Sequence, residues 1–111
     1  MREIDDEIEY EESGGNVFAD LGLPDADELL LKAELARQIS AILQARKLTQ
    51  AEAARILGTQ QPKVSQLVRG ALGGFSLERL IRYLNALGRN VEIVVHERPV
   101  GRGDVKVTIA A

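Results

Sequence analysis

Between positions 61 and 69 the chain places Gln61, Lys63, Ser65, Gln66 and Arg69 among the apolar Val64, Leu67 and Val68. These polar types suit recognition rather than bond-making. A glutamine amide offers the paired donor and acceptor that match an adenine edge, and lysine or arginine serves guanine or phosphate. Gln60 stands just before them, and Gln50 lies eleven residues before Gln61. Catalytic sets are missing by comparison. His96 is the single histidine and has no clustered acid or nucleophile in sequence, which favours a plain surface or core residue. No cysteine is present, which excludes a disulfide scaffold, a thiolate zinc site and a cysteine nucleophile. Serines 13, 40, 65 and 76 have no histidine near them in sequence, and Gly14-Gly15 and Gly73-Gly74 read as spacers rather than phosphate loops. The expectation is a non-enzyme with no metal and no cofactor.

A net charge of −3 over 111 residues argues against nucleic acid only until its distribution is read. Residues 1–34 carry twelve acidic and two basic side chains, and residues 37–89 carry nine basic and two acidic ones. The first block is therefore −10 and the second +7, while residues 90–111 balance at three of each. An acidic segment in front of a basic body points to a polyanionic partner for the body. No apolar run approaches the ~18–20 residues that span a bilayer. The acidic start is unlike a secretory or transit signal, and with no cysteine it fits a cytoplasmic protein.

Several elements must hold the polar residues in place. Residues 1–15, with seven acids and Gly14-Gly15 at the end, read as a flexible arm. Residues 16–21 read as a short helical turn or an extended piece, closed by Gly22 and Pro24. A first long helix starts at Asp25 and runs to about Arg46 on a stripe of Leu31, Leu35, Ile39, Ile42 and Leu43, with Arg46 and Lys47 at its C-terminal end. Thr49 with Glu52 three residues on forms a capping box for a short helix over 50–57, with Ala53, Ala54, Ile56 and Leu57 inward. Gly58 stops it, and Thr59 and Gln60 make the turn. Another helix runs over 61–69 with Pro62 in its first turn and Val64, Leu67 and Val68 toward the core. Ser76 caps a last helix reaching about Leu87. Beyond it, alternation at Val91, Ile93 and Val95, then at Val105, Val107 and Ile109, predicts a β-hairpin turning through Pro99, Gly101 and Gly103. Two strands alone are marginal in water, so this hairpin over 90–111 is a possible dimerisation element.

Two short helices joined by a tight turn after a glycine are the anatomy of a helix-turn-helix, here residues 49–70 within a unit spanning 16–89. The core lies on one side of the second helix, so Gln61, Lys63, Ser65, Gln66 and Arg69 are left for a major groove. Gln60, Gln61, Lys63 and Gln66 are the candidate base contacts. Gln50, Arg55, Thr59, Ser65, Arg69, Arg46 and Lys47 are the candidate phosphate contacts. Such geometry also occurs in scaffolding domains that bind no DNA; the +7 body and polar face weigh against that.

The run Leu48-Thr49-Gln50-Ala51-Glu52-Ala53-Ala54-Arg55-Ile56-Leu57-Gly58, followed by Gln61, Val64, Ser65 and Leu67, resembles the phage repressor and Cro type of helix-turn-helix, the XRE family, over roughly residues 33–87. The flanks, residues 15–23 running into 30–35 and residues 87–93, resemble the HigA-like antitoxin branch. The fold class implied is mainly α, a phage-repressor-like helix-turn-helix bundle, here with a C-terminal β-hairpin where such repressors often carry a fifth helix. By the same likeness Gln50 matches a phosphate-contacting glutamine, and Gln61 and Gln66 match base-contacting positions. Pro62 stands where related repressors often carry a base-reading side chain, so that contact falls to Lys63 or Gln60 or is lost.

The resemblance implies a homodimer on a palindromic double-stranded operator that represses its own operon. It also implies neutralisation of a small basic RNase toxin of the RelE/HigB kind. The alternative is a stand-alone XRE-family regulator whose arm and hairpin serve only assembly. The acidic arm is either simply solvated or a contact for such a toxin.

Overall fold

The computed structural model describes residues 25–108. The expected acidic arm over 1–15 and the piece over 16–21 lie outside the described residues. Among the described residues four helices follow one another: α1 (Asp25–Ala45), α2 (Gln50–Leu57), α3 (Gln61–Arg69) and α4 (Leu77–Ala86). Helix α2 packs on α3, and α1 packs on α4 while also touching α3. One core joins all of them. Ile39 of α1, Leu67 and Val64 of α3, Leu80 of α4 and the loop residues Phe75 and Leu87 are the largest side chains shut away from water.

Local signals set the helix ends. Thr49 Oγ1 accepts from the Glu52 N–H at 3.1 Å, and the Glu52 carboxylate accepts from the Thr49 N–H at 2.8 Å, so the capping box is complete. Gly58 closes α2 at φ 70°, where an L side chain would be strained, and the Thr59 N–H donates back to the Ala54 carbonyl at 2.9 Å. Pro62 stands in the first turn of α3, where no amide proton is needed, and Gly70 closes that helix at φ 81°. The Ser76 hydroxyl caps α4 by accepting from the Arg79 N–H at 3.1 Å.

The capping pair gives a pH signature. The Thr49 backbone N–H, and after it the Thr49 hydroxyl, hold the Glu52 carboxyl below its ordinary value; the Arg37 guanidinium, then Gln38, do the same to Glu34. A carboxyl with a depressed folded pKa stabilises the fold above its unfolded pKa, ~4.3, and that contribution fades as pH falls through the lower folded value. Urea unfolding at pH 7 should show Thr49→Ala less stable by about 1 kcal/mol. Wild type and Glu52→Gln should converge in stability as the pH falls from ~5 toward ~2. A gap between them that persists at the acid end would remove Glu52 ionisation from the account.

Three expectations are corrected. No strand forms among residues 90–108, so the β-hairpin is absent there. Gly101 does adopt a turn conformation at φ 81°, and Val91 and Val107 pack against the core from either side of it. Between those two anchors Ile93, Val94, Val95 and Val100 stand 62–90% exposed. Alternation supplies side chains for a sheet, whereas a ladder also needs a neighbouring backbone. Ile56, expected inward, is 41% exposed. Each residue turns the helix by about 100°, and Ala53, Ala54 and Leu57 already fill the arc of α2 that meets the core. Val68 is likewise 42% exposed, because Val64 and Leu67 define the buried stripe of α3.

Candidate nucleic-acid interface

The turn at 58–60 sets α3 against α2 so that Val64 and Leu67 point into the core, and the remaining side chains of α3 form an outer face. Gln60 and Gln61 are exposed at its N-terminal end, with Gln66 half-buried one turn further on. Gln60 is the N-cap of α3 in extended conformation, yet its side chain makes no capping bond. Its amide is therefore not spent on the helix end. Two glutamines thus stand exposed at the start of one short helix, the end that enters a major groove in helix-turn-helix docking, with a third half-buried further along it.

The cations are deployed differently from one another. Arg55 and Lys47 are exposed, and Lys47 adopts φ 55° in the turn after α1. Arg69, at the last turn of α3, folds its Nε back onto the Ser65 carbonyl at 3.2 Å and stays exposed. Gln50 opens α2 and Thr59 lies in the turn, both half-buried. Arg46, expected to face phosphate beside Lys47, is exposed and has a partner within the fold. Its guanidinium donates to the Leu87 carbonyl at 2.6 Å, capping the C-terminal end of α4 from 41 residues away.

Lys63, expected at a base edge, has its ammonium 3.3 Å from the Gly74 carbonyl and 4.8 Å from the centre of the Phe75 ring. Arg79, in the first turn of α4, reads in sequence only as part of an amphipathic helix. Its Nε donates to the Tyr83 hydroxyl at 2.8 Å, and its guanidinium lies 5.9 Å from the Phe75 centroid. The available signal was the i, i+4 spacing of Arg79 and Tyr83 directly after a Gly-Gly loop.

Among the described residues no group of three or more histidines, cysteines or carboxylates could hold a metal ion, and no helix is long and apolar enough to cross a membrane. His96 is exposed in the C-terminal segment.

Comparison with known proteins agrees with this geometry. A family model described as a helix-turn-helix domain matches residues 17–96. A solved structure described as a putative XRE family transcriptional regulator is similar at 44% sequence identity and TM-score 0.70, over 79% of this chain and 99% of that one. No curated protein matches.

Proposed function

The chain belongs to the helix-turn-helix family, of the XRE kind, and from that premise we propose that it is a sequence-specific transcriptional repressor acting as a homodimer on a palindromic operator. The observation that carries the reading is the N-terminal end and solvent side of α3, where Gln60 at the N-cap and Gln61 in the first turn are exposed and Gln66 is half-buried further along the helix. Base edges are read by these side chains, and affinity comes from phosphate neutralisation by the +7 body, with Arg55 and Arg69 its exposed cations beside the reading face. Two copies would set their α3 helices about 34 Å apart, one turn of duplex, to meet two half-sites.

The fuller form of the proposal makes this an antitoxin that represses its own operon and binds a small basic RNase. Support comes from the −10 charge of residues 1–34, complementary to a protein whose surface must grip RNA. Co-purification with a small basic protein encoded beside it would support the antitoxin role. A neighbouring gene of that kind whose product fails to bind would leave a stand-alone regulator.

Binding to duplexes from the region upstream of its gene, followed by fluorescence anisotropy at increasing salt, tests the DNA reading. The affinity should fall steeply with salt. Replacing Arg55 or Arg69 with Gln should weaken operator and random duplex alike and reduce the magnitude of the salt slope by about one for each phosphate no longer neutralised. A loss confined to the operator would assign that arginine to a base instead.

A further inference from the structure

Phe75 and Tyr83 are two of the four aromatic residues of the chain, and both are almost fully buried, at 2% and 4% exposure. Their rings meet edge to face, 6.2 Å between centroids at an interplanar angle of 73°. Two cations from separate helices converge on this pair. The Lys63 ammonium comes from α3 to within 4.8 Å of the Phe75 centroid, and the Arg79 guanidinium comes from α4 to within 5.9 Å of Phe75 and 5.8 Å of Tyr83. Each is also pinned by a hydrogen bond, Lys63 to the Gly74 carbonyl at 3.3 Å and Arg79 through Nε to the Tyr83 hydroxyl at 2.8 Å. Neither cation has a carboxylate partner among the described residues, although both remain half-exposed.

A lysine or arginine free in water loses substantial rotamer entropy when it binds, so a cation already held in place binds an anion at lower cost. Attraction to a ring face orients a cation while leaving its charge uncompensated, which a carboxylate partner would not do. The bond from Arg79 uses Nε, and the terminal nitrogens of its planar fork are the ones that grip a phosphate from two sides.

We infer that the Phe75–Tyr83 ring pair is a positioning device that holds Lys63 and Arg79, from the two helices that flank the Gly73-Gly74 loop in the chain, as two contacts to the phosphate backbone of duplex DNA, so that Lys63 grips backbone and reads no base. The inference rests on the DNA reading above and assigns a place within that interface. It also leaves base recognition to the three glutamines.

The test uses the full chain, a duplex from upstream of its own gene, and a random duplex of equal length, with affinity measured from about 50 to 200 mM salt. Tyr83→Phe keeps the ring and removes only the oxygen that holds Arg79. It should weaken binding to both duplexes by the same factor and reduce the magnitude of the salt slope by up to about one, without changing the ratio of the two affinities. Arg79→Gln should reproduce that result, with a thermal melt showing that the fold is kept. Lys63→Gln should flatten the slope similarly, again leaving the ratio unchanged. Wild-type slope and affinity in both Tyr83→Phe and Arg79→Gln would overturn the positioning role, and an operator-selective loss in Lys63→Gln would return that lysine to base reading. Wild-type protein that binds neither duplex at the lowest salt would instead sink the DNA reading.

Discussion

Replacing Gln61 and Gln66 together with alanine is expected to remove most of the discrimination between the operator and random DNA while leaving the protein folded. A bidentate contact to a base is worth about 1–3 kcal/mol of discrimination, so the pair accounts for roughly 2–6 kcal/mol if both read bases. At 1.4 kcal/mol per factor of ten, the loss on the operator is upward of about thirtyfold. The fold should not notice. Gln61 is exposed, and the bonds that close α3 onto Gly70 and Ala71 use the Gln66 carbonyl, which alanine retains. Residual binding to random DNA should keep the wild-type salt dependence, because no phosphate contact has been touched. Anisotropy on the two duplexes and a thermal melt check all three statements. Undiminished operator affinity in the double variant would take this face out of recognition.

The second large effect is expected at Leu67, on the opposite side of the same helix. Leu67 is 1% exposed and packs in the core shared by all four helices. Leu67→Ala leaves a cavity where α3 meets that core and should cost about 2–5 kcal/mol. A small domain has only ~5–15 kcal/mol in total. The melting temperature should therefore fall by at least about 8 °C, at roughly 4–8 °C per kcal/mol for a body of this size. Below the transition, the fraction still folded should retain the wild-type preference for the operator, since the reading face is unaltered. Circular dichroism at the helical band measures the first effect. A shift of less than about 2 °C would mean that α3 is not anchored through Leu67.

These substitutions share one short helix and act on separate properties, a division visible in sequence. The ends of α2 and the start of α3 were legible because their determinants are local: the Thr49–Glu52 box, Gly58 and Pro62 each act within a few residues. The polar face followed from helical period alone. Less local features were not legible. Lys63 and Arg46 are defined by carbonyls 11 and 41 residues away, distances over which a charge pattern carries no information. Ile56 and Val68 are apolar at positions that helical period allows on either side, and only the neighbouring helices decide. The tail alternates as a strand does, but pairing depends on a second backbone that the alternation does not specify. The helix-turn-helix segment could be located in the sequence; which of its cations have partners within the fold could not.

The bond from Arg46 to the Leu87 carbonyl has a consequence beyond the stability of α4. It ties the end of the first helix to the point where the chain leaves the bundle for its C-terminal segment. That exit direction is thereby referred to the same body that carries α3. Should the segment join two copies, this joint works like the pivot of a pair of dividers. On the proposed function, the side chains on α3 would determine which letters are read, and the pivot how far apart the two points stand when they read them.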